Sequence, residues 1–120
     1  MATHNETGKK GEELAREWVS QNGFEILHSN WRHAHREVDI IASRNGLLHF
    51  IEVKTSRNQQ YGWPEQRVNA KKWQYLQTCA SAFVEQEGFK GMIRFDILAI
   101  RLLNGRPPEY FYIEDCFCWE

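Results

Sequence analysis

The sequence predicts a mixed α/β fold, a single sheet with helices packed on it in the order α-β-β-β-α-β-β. Three observations predict it. Two stretches, about residues 9–22 and 66–86, place apolar side chains at helical spacing. Five shorter segments are rich in β-branched and aromatic residues and are bounded by turn formers. Finally, 120 residues, 42% hydrophobic and 26% charged, suit one domain and leave no material for a second. No repeat, linker or low-complexity tract interrupts the chain, so the domain is expected over 1–120 with its core at about 8–115.

In the first helix, Leu14, Ala15, Trp18 and Val19 form one apolar stripe, and Gly23 stands where a glycine would end it. Phe24–Trp31 follows as a strand. Arg36–Ala42 alternates acid and apolar residues, and Leu47–Lys54 is rich in β-formers. Asn45-Gly46 between them is a strong hairpin signal, because both residues of a two-residue turn tolerate positive φ. Residues 55–66 are polar, contain Gly62 and Pro64, and read as a loop. Val68, Leu76, Cys79, Ala80 and Phe83 mark the second helix, which should stop near Gly88. Met92–Ile100 alternates with period two, Asn104–Pro108 breaks the chain, and Tyr110–Ile113 is a short last strand. The crossover from the third strand through the second helix to the fourth is expected to be parallel and right-handed.

The hairpin fixes a register. If Asn45-Gly46 is the turn, Arg44 faces Leu47, Asp39 faces Glu52, and Glu37 faces Lys54. Residues two apart share a face, so these three acids and the lysine should lie on one side, with Val38, Ile40, Ile51 and Val53 on the other. Opposed carboxylates on a sheet are about 5 Å apart at Cβ and repel. A pair of hard oxygen ligands with room for water and a phosphate oxygen suits Mg²⁺ or Mn²⁺. Such an ion polarises a phosphodiester and acidifies an attacking water that Lys54 would position or deprotonate. The bland alternative is a solvated strand face with Glu37–Lys54 as a cross-strand ion pair, worth a few tenths of a kcal/mol.

Fifteen Lys+Arg against sixteen Asp+Glu give a net charge of −1, so no global basic excess advertises nucleic-acid binding. The distribution is uneven. Residues 28–72 hold eight basic residues against four acids, a local +4, while the flanking segments carry −2 and −3. Arg32, Arg36, Arg57, Lys71 and Lys72 are candidate phosphate contacts, with Arg67 beside them, though an exposed charged face needs no such role. His33 and His35, with His28, have no fixed third ligand and read as polar surface more readily than as a transition-metal site. Tyr61, Trp63 and Trp73 read as packing aromatics before base-stacking ones. Asp96, in an apolar frame, reads as a structural hydrogen-bonding acid.

Cys79, Cys116 and Cys118 cannot all pair within the chain, and no C-x-x-C is present, so they are expected as reduced thiols. Met1–Lys10 has no apolar core of a leader, and no segment is apolar enough to cross a bilayer, so a cytoplasmic location without membrane partners is the expectation.

Asp39 followed by Glu52-Val-Lys54 resembles the PD-(D/E)xK nuclease signature. Gly8, Gly11-Glu12 and Ala15, then Glu37–Ile41, Phe50–Lys54, Tyr61-Gly62-x-Pro64 and Arg94-Phe-Asp96 recur in order. Together they resemble the YraN-like family of small bacterial predicted endonucleases, similar in fold to archaeal Holliday junction resolvases. The resemblance runs from about Gly8 to Ile100. It implies a restriction-endonuclease-like core, Asp39 and Glu52 as metal ligands, Lys54 as catalytic lysine, and Glu12 as an additional catalytic acid of the resolvase-like branch. Its implied substrate is DNA, branched DNA included, and its implied assembly a homodimer, because two strands must be cut symmetrically. One departure is that Arg36 stands where the family usually has Gly. The rival readings are a non-catalytic nucleic-acid-binding module of the same fold and an interaction domain whose acidic cluster is only a paired surface.

Overall fold

The computed structural model describes residues 4–57 and 70–115. Its elements are α1 (His4–Gln21), β1 (Glu25–His33), β2 (Arg36–Arg44), β3 (Leu47–Ser56), α2 (Ala70–Glu87), β4 (Ile93–Arg101) and β5 (Glu109–Ile113). The expected start of the second helix at 66–69, most of the 55–66 loop with Tyr61 and Trp63, Arg67, and Cys116 and Cys118 lie outside the described residues.

The five strands form one sheet in chain order, β1-β2-β3-β4-β5. β3 and β4 run parallel, as a helical crossover requires, and every other neighbouring pair is antiparallel. This is the mixed α/β architecture and element order the sequence predicts. Helix ends follow local chemistry. At Gly23 (φ 87°) the amide bonds Ser20 O at 3.3 Å while the Phe24 amide bonds Val19 O at 3.2 Å, the paired bonds of a Schellman stop. Asn45 and Gly46 both have positive φ, 54° and 79°, and close the β2–β3 hairpin in the expected register from Arg44↔Leu47 to Ile40↔Ile51.

Both faces of the sheet are covered, which corrects the expectation of one apolar and one polar face. On one side α1 packs Ala15 and Val19 against Ile40, Ala42, Ile51, Leu98 and Ile100. On the other, α2 packs Leu76, Cys79, Ala80 and Phe83 against Val38, Ile41, Leu48, Phe50 and Ile97. Burial of the Val, Leu, Ile and Phe side chains among them contributes about 1.5–3 kcal/mol each. Val38 and Ile40, two residues apart, therefore belong to opposite faces, so strict alternation fails at Asp39 between them. The neighbouring strand is irregular at the same level. Ser29↔Ile40 and Trp31↔Val38 pair, but Asn30 between them has φ 54°.

A buried polar network crosses the α1 side. Asp96, fully buried, binds His49 Nδ1 at 2.6 Å, the Tyr112 hydroxyl and the Asp115 amide at 2.7 Å. The structure thus gives Asp96 the hydrogen-bonding role expected of it. Burial first, then the Asp96 carboxylate, push the Tyr112 hydroxyl far above the ordinary phenol range. Among the described residues, no helix is long and apolar enough to cross a membrane.

Candidate functional site

The irregularity at Asp39 makes the candidate site. The β2–β3 ladder ends at Ile40↔Ile51, and one step on, Asp39 Oδ2 accepts the backbone N–H of Val53 at 2.8 Å. A side chain thus replaces a ladder bond, and the Asp39 and Glu52 carboxyls come close enough to act on each other directly. They meet as the sequence predicts, though as a side-chain pair across a broken ladder. Burial, then the charge of Glu52, raise Asp39 from its ordinary 3.8 to about 8, against the opposing pull of the Val53 amide. Glu52 is itself buried.

Asp39 opens on two polar clefts of about 230 Å³ each, and Glu52 lines one of them. The cleft on the α2 side is lined by His35, Arg36, Glu37, Asp39 and Glu52 together with Lys72, Tyr75, Leu76 and Cys79 of α2. The one on the α1 side is lined by Thr7, Gly8, Glu12, Asp39, Val53 and Thr55. Asp39 lines both, so Glu12 approaches the acid pair from the helix opposite Lys72. Gly11 permits that approach. A Cβ there would overlap the Thr55 hydroxyl and lie 2.8 Å from the Thr55 Cβ, so any side chain would push α1 off β3.

The cations are arranged differently from the sequence expectation. Lys72 donates to Glu52 Oε2 at 2.7 Å. Its burial favours the neutral amine, but the Glu52 hydrogen bond and charge outweigh that and lift Lys72 above its ordinary value. Glu37 pairs with Arg32 at 3.3 Å on β1, which replaces the expected Glu37–Lys54 cross-strand pair. The β2–β3 pairing stops before reaching Glu37 and Lys54, so nothing holds those two opposite each other. Lys54 follows Glu52 on the same face of β3 but does not line either cleft. Arg36 lays its guanidinium over the Tyr75 ring, 4.1 Å from the centroid, while its Nε is buried without a hydrogen-bond partner among the described residues. Arg57 Nε binds Thr7 Oγ1 at 2.8 Å, which ties the end of β3 to α1. Lys71 stands 5.9 Å from the Tyr75 ring.

The histidines separate. His28 packs edge-on against Phe83, His33 stacks on Trp31, and His35 lines the α2-side cleft. Among the described residues no group of three or more His, Cys, Asp or Glu is placed as a ready-made metal cage. Trp73 packs at right angles on Phe95, ring centroids 4.9 Å apart, as a packing aromatic. Sequence reasoning missed Tyr75 altogether and gave Lys72 only a generic phosphate role. The signal was present as a helical stripe, because Lys72, Tyr75, Leu76 and Cys79 follow i, i+3, i+4, i+7 spacing and turn together toward the sheet.

Comparison with known proteins adds the family. The model of a family described as "Uncharacterised protein family UPF0102" matches residues 11–100. A UPF0102 protein of Christiangramia forsetii is 42% identical over 117 residues, 98% of each chain. One from Flavobacterium johnsoniae is 38% identical over 121 residues, again 98% of each. One from Chloroherpeton thalassium is 34% identical over 125 residues, covering 98% of this chain and 97% of its own. A match of that extent, on relatives of nearly equal length, places the chain in the UPF0102 family, which is the YraN family its motifs resemble.

Proposed function

We propose that the chain is a Mg²⁺-dependent endonuclease that hydrolyses DNA phosphodiesters, with branched or otherwise structured DNA as its substrate class. The observation that carries this reading is the Asp39–Glu52 pair, two close carboxyls that both line the α2-side polar cleft, with Asp39 also lining the α1-side one. Burial, then the charge of Glu52, raises Asp39 to about 8, and a hard divalent cation relieves the repulsive part of that cost. Two carboxylates, with water and a substrate phosphate completing the shell, are the donor set Mg²⁺ or Mn²⁺ takes in phosphoryl chemistry. When bound, the ion would polarise the phosphodiester and lower the pKa of an attacking water.

The remaining roles belong to the chain itself. The Val53 amide orients one Asp39 oxygen and leaves the other for a ligand. Lys54, on the Glu52 face of β3, is the residue we assign to positioning the water, and Glu12 supplies a further acid from α1. Arg36 and Lys72 face the α2-side cleft and suit phosphate oxygens, while Arg32, with 71% of its side chain exposed, Arg57 and Lys71 extend the basic surface. Symmetric cutting of a branched substrate needs two such sites, so the reading includes a homodimer. A DNA substrate and the free, buried Cys79 thiol fit a cytoplasmic setting.

The test incubates the purified protein with plasmid, single-stranded, flap and four-way-junction DNA, with and without Mg²⁺ or Mn²⁺. Glu52→Ala and Lys54→Ala run alongside. Metal-dependent cleavage that both substitutions abolish supports the reading. Binding without cleavage on every substrate would make the chain a nucleic-acid-binding module, and neither binding nor cleavage an interaction domain. Sedimentation with and without junction DNA reads the oligomeric state.

A further inference from the structure

Lys72 occupies a position that the metal reading leaves unexplained. It enters from α2, on the third residue of that helix, while both carboxylates belong to the β2–β3 hairpin. Its ammonium donates to Glu52 Oε2 at 2.7 Å, and Asp39 lines the same cleft beside it. Only 8% of the Glu52 side chain is exposed, whereas 40% of Lys72 is. The lysine therefore has a route to solvent that the glutamate lacks.

We propose that Lys72 is a built-in counter-ion of the Asp39–Glu52 pair that exchanges with the divalent cation. The proposal rests on the metal-site reading above and adds a conformational step to it. Without metal, one ammonium partly neutralises two acids. With metal, a second cation on the same buried carboxylate would crowd two positive charges into one small cleft, and repulsion at that distance in a desolvated site is large. The mobile partner leaves. Lys72 is the mobile one, because its flexible four-carbon stem already reaches water. Once displaced it remains beside Arg36 at the rim of the same cleft, in reach of a nucleic-acid phosphate oxygen bound there. Metal uptake would thus release a phosphate-binding group, which couples the two ligands.

The experiment measures Mn²⁺ affinity directly, from the free-ion EPR signal at pH 8.5, for wild type, Lys72→Met, Lys72→Arg and Lys71→Met. Loss of the competing ammonium should tighten Mn²⁺ binding about 3- to 10-fold in Lys72→Met, the range of a half-exposed ion pair. Lys72→Arg should stay near wild type. Lys71→Met removes the same charge one residue away, from a group set against Tyr75, and should change affinity less than twofold. Equal tightening by the two Met variants, or none in Lys72→Met, overturns the exchange while leaving the metal site intact. Absence of Mn²⁺ binding in every protein instead overturns the metal reading and the exchange with it. A second measurement needs no variant. Mg²⁺ titration of wild type, followed by the lysine side-chain resonances, should move Lys72 to the shift of an exposed lysine. A Lys72 signal unchanged at Mg²⁺ saturation overturns the proposal.

Discussion

Asp39 accepts the backbone N–H of Val53 at 2.8 Å, so a carboxylate of β2 occupies the place of a ladder bond to β3. The bond serves two purposes. It satisfies an amide that the broken ladder would leave unpaired, and it holds the carboxyl against Glu52.

That placement makes stability pH-dependent with a definite sign. The folded protein holds the Asp39 proton up to about 8, and the unfolded chain releases it near 3.8. The folded state therefore binds more protons across that window, so this site's contribution falls as pH rises through it and levels above about 8. Asp39→Asn keeps an acceptor for Val53 and removes the charge. The variant should match wild type near pH 4 and exceed it at pH 9 by about 1–2 kcal/mol after solvent screening. Thermal melts of both proteins from pH 4 to 9 check it, and a gap that narrows with rising pH would contradict it.

The contact of Gly11 with Thr55 predicts a steric coupling between α1 and β3. Gly11→Ala should cost about 1–3 kcal/mol, because its Cβ would sit 2.8 Å from that of Thr55 and closer still to the hydroxyl. Thr55→Ala removes the hydroxyl and the methyl but retains the Cβ. The double variant should recover part of the loss, a positive interaction in a double-mutant cycle read by urea unfolding.

Asp96 predicts a purely structural loss. Asp96→Ala strips acceptors from His49, Tyr112 and the Asp115 amide at a fully buried site, and should cost about 3–5 kcal/mol. Asp96→Asn, which keeps an acceptor oxygen, should cost less. Denaturant midpoints at constant slope measure both. Below the unfolding transition, Mn²⁺ affinity should be unchanged.

The uneven charge predicts how DNA would be held. With +4 confined to residues 28–72 in a chain of net charge −1, binding should be weak and steeply salt-dependent. Arg32→Ala and Lys71→Ala should each lower the slope of log affinity against log salt by about one. Fluorescence anisotropy on a four-way junction between 50 and 200 mM salt (roughly the range over which phosphate contacts are titrated away) gives that slope.

Much of this molecule was legible in order along the chain. Asn45-Gly46 carries the hairpin and its register because only residues that tolerate positive φ close a two-residue turn. Gly23 ends α1 for the same conformational reason. Leu14–Val19 and Leu76–Phe83 declare their helices by the spacing of apolar side chains, and the helix between two parallel strands follows from chain connectivity. The neighbourhood of Asp39 and Glu52 was legible too, since register alone carries one toward the other.

What the sequence could not decide was which charge answers which. It paired Glu37 with Lys54 by counting along a regular ladder, and the ladder stops at Ile40↔Ile51. Whether a strand pair stays regular depends on both faces being covered at that level, and α1 and α2 are brought there only by the folded sheet. Lys72 meets Glu52 across twenty residues of chain, at a distance set by the packing of Leu76 and Cys79 beneath it. Local pattern determined the elements and their order. The partners of the buried carboxylates were decided by tertiary packing, because electrostatic interaction depends on distance through a desolvated cleft and sequence separation carries no measure of that distance.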